Sequence, residues 1–445
     1  MLTVVIFSFF LLLVAAFPHA DVLKRAPPGI RFQTPKGTHP SLSFSKLAET
    51  SHNHQRIHGV RSKTNARSVA AILGAHQRQV GGTGYENITV TNAYGTQYAT
   101  EVTWSGVPIN LLLDTGSSDT WAIQRNFSCV DYAGEPVPQI VCAFGPSYPA
   151  TFQYGETSPP QHMFIRYGDG EIVTGPMGFS DITLAGNLTV TKLQVCLANN
   201  TYWYGNNVTS GLMGLAFPSI TNAYIGPQYE HDPGSQVEYS PLFTSMVSQG
   251  KSRPMFSIAI DRNSSSGVLA WGGIPPVKGL DRENDASVDM VITNLIDIPE
   301  TAYEYSFYTI IPDGWDYDQK TDIKKYPYIV DSGTTLCYLP PYLASAINQA
   351  FNPSAVWLWA YMAYFTSCDA TPPIVSLVIA GKRFLFNPAD LIYRDMVDPE
   401  TGLCMTAIAS GGTGPYILGD AFMQNALVVF DVGHAQMRFI SRPYY

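Results

Sequence analysis

Residues 111–121 read LLLDTGSSDTW, and residues 328–339 read YIVDSGTTLCYL. In each stretch an apolar run enters an Asp, followed by a hydroxyl residue, a Gly and two further hydroxyl residues. Each is answered downstream by an apolar-apolar-Gly segment, LMGLAF at 212–217 and ILGDAF at 417–422. Asp and Gly are at home wherever strands end in turns. Turn chemistry does not explain why two separate segments recur in the same order, whereas an internal duplication does. The chain therefore reads as two similar halves, each offering one carboxylate, Asp114 and Asp331.

Working outward, a length of 445 residues exceeds what one hydrophobic core usually serves, so two lobes are expected. With 45% hydrophobic and 14% charged residues, the chain is neither disordered nor a coiled coil. The 37 Gly, 32 Pro and 26 Tyr favour turns and strands over helices. Short apolar or alternating runs fall at 86–91, 98–104, 109–113, 182–195, 256–260 and 427–430, separated by Gly, Pro, Asn and Asp. That is an all-β pattern. Helical stretches are expected to be few and short, with 341–351 and 242–249 the best candidates.

Charge divides the chain. Residues 21–80 hold ten basic side chains against Asp21 and Glu49, a net +8, which leaves −17 for residues 81–445 out of a total of −9. A cationic segment thus precedes an anionic body, and electrostatics favours their docking. An acidic body is a poor partner for nucleic acid, because phosphate binding needs clustered Lys and Arg. Leu2 to Phe17 is an apolar run ending in small residues, the pattern of a secretory signal cleaved after Ala16 or Ala20; a membrane anchor is the alternative. No later stretch resembles a membrane span, and no hydrophobic tail precedes Tyr445, so no stable membrane association or lipid anchor is expected. Six Asn-x-Ser/Thr triplets, at Asn87, Asn126, Asn187, Asn199, Asn207 and Asn263, suit an exported glycoprotein. The expected organisation is a signal at 1–20 and a basic pro-segment at 21–80. Two lobes follow at 81–262 and 263–445.

These features together resemble the pepsin-like (A1) aspartic proteases, and the likeness extends over nearly all of 85–443. IRYGDGEIVTG at 165–175 is similar to that family's flap hairpin. GLMGLAFPSI at 211–220, GVLAWGGI at 267–274 and ILGDAFMQNALVVFD at 417–431 are similar to other characteristic segments. The Asp following Tyr-Gly is closest to fungal secreted or vacuolar members. The resemblance implies a bilobal all-β fold with a cleft between pseudo-symmetric lobes, and a protease made as a self-activating zymogen whose pro-segment inhibits it. It also implies polypeptide substrates, inhibition by pepstatin-type compounds, a monomer, and a secreted or vacuolar location.

Carried over residue by residue, the resemblance makes Asp114 and Asp331 the catalytic pair. The chemistry agrees: hydrolysing a peptide needs a base for the attacking water and an acid for the leaving nitrogen. Two carboxyls sharing one proton supply both, because like charges in contact resist double ionisation. Gly116 and Gly333 let the turns bring amides close to the carboxyls. Thr115 and Ser332 would cross-link the paired turns; Ser332 stands where Thr is commoner. Ser117 and Thr334 would hold the carboxyls from outside. Tyr167, beside Gly168, fits the flap tyrosine, with Trp121 as its hydrogen-bond partner, and Asp169 would face substrate, extending tolerance to Lys. Cys368 and Cys404 fit the family's second-lobe disulfide, and Cys129 and Cys142 are expected to close a loop in the first. Cys196 and Cys337 are expected to be free and buried, with a third bridge as the alternative.

Other chemistries lack their residues. Only His162, His231 and His434 lie in the body, and there is no Gly-x-Ser-x-Gly elbow. His-Glu-x-x-His and Cys-x-x-Cys spacings are absent, so neither metal nor cofactor is expected. The rival from another class is a catalytically silent relative that binds or inhibits proteins; loss of either Asp or its Gly would have favoured it.

Overall fold

The computed structural model describes residues 84–90, 97–185, 188–226, 235–261, 267–292 and 305–442. The expected signal and pro-segment, Asn187 and Asn263 lie outside the described residues.

The duplication seen in the sequence becomes a duplicated strand arrangement. In the first half, the strand Val107–Asp114 delivers Asp114 at its end and lies parallel to Gly211–Gly214, with Asp114 opposite Gly214. Gly211–Gly214 is also antiparallel to Thr120–Val130, pairing Leu212 with Trp121. In the second half, Tyr328–Val330 leads to Asp331 and lies parallel to Tyr416–Leu418, which in turn is antiparallel to Cys337–Leu339. The apolar-apolar-Gly segment thus lies between the two arms of its own acid-bearing turn in both halves. The physical need is the same each time: a strand wedged between two others is buried on both sides, so it reads as an unbroken apolar run. Leu212, Met213, Tyr416 and Leu418 are accordingly buried, with Ile417 half-buried between the last two.

A connecting sheet joins the halves. Gly84–Val90 pairs with Gly267–Trp271, which pairs with Met255–Ile260, then Ala426–Asp431, Gln436–Ser441 and Asp281–Asp289. Both ends of the described chain meet here, and the division expected at 262/263 falls between two strands that are paired, Phe256 opposite Trp271. Phe256 stacks on Phe430 with ring centroids 4.5 Å apart, and Tyr308 packs edge-on against both. Residues far apart in sequence therefore share one core.

The run at 182–195 is two strands, Ile172–Leu184 and Leu188–Tyr202, with Leu184 opposite Leu188. The intervening Ala185-Gly186-Asn187 carries a Gly-Asn hairpin signal that outweighs apolar continuity. Helices form where expected, at Leu242–Ser248 and Pro341–Gln349. In the second, Leu343, Ala344, Ile347 and Asn348 are buried, the spacing of one helical face. Asn348 is tolerated inside because its amide donates to Ile408 O at 2.9 Å and accepts from Thr406 at 2.8 Å. No helix among the described residues is long and apolar enough to cross a membrane.

Candidate active site

Each acid is gripped by its own turn. Gly116 N donates to Asp114 Oδ1 at 2.7 Å, and the Ser117 hydroxyl donates to Asp114 Oδ2. On the other side, Gly333 N donates to Asp331 Oδ1 at 2.8 Å, and the Thr334 hydroxyl to Asp331 Oδ2 at 2.6 Å. The two sets are equivalent atom for atom, which is the duplication expressed as chemistry.

The turns then interlock. Thr115 N donates to Ser332 Oγ and Ser332 N to Thr115 Oγ1, at 3.2 and 3.0 Å. Each hydroxyl passes its own proton across to the opposite strand, Thr115 to Val330 O and Ser332 to Leu113 O, both at 3.0 Å. Four bonds between buried groups thus hold the acid-bearing turns face to face. Ser332 supplies them without the methyl that Thr would add. The glycines are required by the closeness this produces. A Cβ on Gly116 would stand 2.5 Å from Asp331 Oδ2, and one on Gly333 2.5 Å from Asp114 Oδ1, inside any tolerable contact.

Both carboxyls are buried. Burial pushes the Asp114 acid up, and the adjacent charge of Asp331 pushes it further; the bonds from Ser117 and Gly116 favour the ionised form but are outweighed. Two carboxyls in contact resist double ionisation, so the pair can hold one proton between two oxygen sets. An acid and a base then sit side by side, able to polarise a carbonyl and take a proton from water.

A hairpin built from Gln161–Arg166 and Ile172–Leu184 reaches over this site. Tyr167 opens its turn, and its hydroxyl accepts from Trp121 Nε1 at 2.8 Å. Burial raises the Tyr167 phenol, and the charge of Asp114 raises it further. Gly168 leaves open space where a side chain would stand. Asp169 is exposed at the turn, and loss of water from around its carboxyl raises its acid. Its charge adds to burial in raising the Tyr338 phenol of the other half.

Several participants were invisible as such in the sequence. Trp203 packs edge-on against both Tyr167 and Trp121, with centroids 5.6 and 5.1 Å away, so it braces their bond. Asp119 is buried beneath the first turn and accepts from Tyr239 at 2.7 Å and Asn222 Nδ2 at 2.8 Å. Asp420 is buried with neither carboxyl oxygen hydrogen-bonded among the described residues, and burial, then the charges of Asp331 and Asp114, push its acid well up. Glu171 is buried at the end of the hairpin turn. All but Trp203 lie within quoted motifs, but their burial depends on neighbours that no local pattern names. The disulfides are Cys129–Cys142 and Cys368–Cys404, and Cys196 and Cys337 are free and buried.

Comparison with known proteins agrees with this geometry. The family model described as eukaryotic aspartyl protease matches residues 97–441. A probable aspartic-type endopeptidase of Aspergillus fumigatus is 36% identical over 85% of this chain and 85% of its own length. An acid protease of Saccharomycopsis fibuligera is 25% identical over 80% of this chain and 83% of its own. The crystal structure of the aspartic proteinase from Irpex lacteus covers 81% of this chain and 98% of that one, with a TM-score of 0.61 at 18% identity, a likeness of fold. The interlocked acid turns, the strand duplication and these matches have one reading: the chain belongs to the eukaryotic aspartyl protease family, the pepsin-like hydrolases.

Proposed function

We propose that the chain is an active endopeptidase that hydrolyses extended polypeptides at acidic pH, using a water held between Asp114 and Asp331. The observation that carries this reading is the mutual approach of the two acids, each so near the opposite glycine that a methyl group there would strike it. The ionised carboxyl takes a proton from the water as its oxygen adds to the peptide carbon. The protonated carboxyl gives its proton to the carbonyl oxygen. On collapse, the C–N bond breaks, the leaving nitrogen takes a proton from the pair, and a hydroxyl of the intermediate returns one to it as the acid forms. Thr115, Ser332, Ser117, Thr334 and the two glycines are positioning residues for that geometry. Tyr167, held by Trp121, closes the hairpin over substrate as a flap and excludes water. Asp169, on the hairpin turn, meets the substrate side chain next to the scissile bond and favours Lys there as well as large apolar residues.

We further infer a secreted or vacuolar zymogen. The +8 segment at 21–80 complements the −17 body, and it carries five His that charge on acidification while body carboxylates are neutralised. Attraction is then lost as pH falls, and the segment is released for cleavage between Arg67 and Tyr85. The test is cleavage of acid-denatured haemoglobin by the purified protein with and without pepstatin. Pepstatin-sensitive cleavage is expected. Failure to cleave after the pro-segment has been removed would leave only the silent relative.

A further inference from the structure

The hairpin turn contains a second pair of acids, which the reaction described above does not use. Glu171 is buried, and its Oε1 accepts the Tyr204 backbone amide at 2.6 Å. Its own backbone amide donates to Asp169 Oδ1 at 3.1 Å, so the two acids meet at one turn. Two carboxyls that meet can bond to each other only with a proton between them. The turn is otherwise closed by Gly170 N to Tyr167 O and Tyr167 N to Glu171 O, at 3.0 and 2.9 Å. Residue 171 therefore links three things: the turn that carries Tyr167, the segment at 202–204, and the exposed acid Asp169.

Resting on the reading of this hairpin as a flap, we propose that Glu171 is a positioning residue. Its carboxyl grips the Tyr204 amide and shares a proton with Asp169, so the flap turn is held in its closed geometry only while at least one of the two acids is protonated. With the proton present, the pair carries at most one negative charge and its members attract. When both ionise, two like charges in contact repel, and one is in a site with little water to screen it. The cheapest relief is to move Asp169, the exposed member, which moves the turn and Tyr167 with it.

The other charged and titratable groups facing the pair do not cancel this repulsion. The Tyr202 and Tyr204 phenols, whose hydroxyls are bonded to each other, and Tyr167 are neutral wherever the enzyme works. Tyr338, from the other half, is equally neutral. Arg166, one residue before the turn, makes no ion pair with either acid. Burial, then the Asp169 charge, hold the Glu171 acid well above the ordinary range.

The test is the pH dependence of kcat and KM for one peptide substrate, measured on the full chain after its own acid maturation, from strongly acidic to neutral pH. In the unaltered protein KM should rise about tenfold toward neutrality, separately from the fall in kcat set by Asp114 and Asp331. Glu171→Gln keeps the bond to Tyr204 and can donate to Asp169 at any pH, so its KM should stay within about twofold across the range. Asp169→Asn, at an exposed position, should flatten KM in the same way by removing the repulsion. A KM profile in either variant that overlays the original overturns the proposal. That result is distinct from loss of all cleavage in the unaltered protein, which would instead overturn the protease reading.

Discussion

Thr115 and Ser332, 217 positions apart, exchange hydrogen bonds reciprocally, the amide of each donating to the hydroxyl of the other. Both side chains are buried, and each also spends its own proton on a carbonyl of the facing strand. The bond set commits both hydroxyl protons, leaving neither to compete for the neighbouring carboxyls. It also makes the spacing of Asp114 and Asp331 a property of two backbones rather than of two flexible side chains.

Removing either hydroxyl should therefore damage function more than a surface change of equal size. Thr115→Val keeps the volume but orphans Ser332 N and Val330 O, at a cost of about 1–3 kcal/mol for each buried unsatisfied group. We expect a lower denaturant midpoint, and a fall in kcat of more than about tenfold with KM little changed. A variant destabilised to that extent with unaltered kcat would show that the acids do not depend on this link.

Asp114→Asn removes the proton exchange while preserving shape. The full-length variant should remain unprocessed on acidification, as judged by the mass of the chain after incubation. Conversion at the normal rate in a purified sample would mean that another protease does the cutting.

Asp169→Ala bears on substrate choice. The ratio of cleavage after Lys to cleavage after Phe in matched peptides should fall at mildly acidic pH, by about tenfold if one exposed charge contact of roughly 1 kcal/mol or slightly more is lost. An unchanged ratio would remove Asp169 from the recognition of basic residues.

Stability should decline as pH rises. Glu86, Asp119, Glu171 and Asp420 all have acids raised chiefly by burial. A carboxyl raised in the folded state binds its proton more tightly there than in the unfolded chain. Its contribution is therefore complete below the ordinary carboxylate range and is lost as pH climbs toward the folded value. Denaturation at a series of pH values should show this fall, and Asp420→Asn should flatten part of it, since Asp420 has no hydrogen-bond partner among the described residues to lose. A steeper fall in that variant would contradict the assignment of Asp420 as a buried neutral acid.

Cys196 and Cys337 should resist thiol reagents in the native protein and react fully after unfolding, because both are buried and burial raises their thiols. Two reactive thiols per denatured, unreduced chain are expected; none would indicate a third bridge.

Much was legible in the sequence because duplication writes the same physical requirement twice. The acid, the hydroxyls and the glycine at 114–117 and 331–334 are each demanded by local turn geometry, and the strand that pairs behind each turn must be apolar to be buried on both sides. Short strands, two helices and the Cys pairings follow from equally local or family-wide patterns. What the tertiary structure alone decided is which atoms meet. Trp203 behind Tyr167, Tyr204 against Glu171, and Asp420 stranded without a partner among the described residues are relations between segments whose approach is set by packing of the whole core. A residue's type states what it can bond, but its charge state and its role depend on how much water and which neighbours the completed fold leaves beside it.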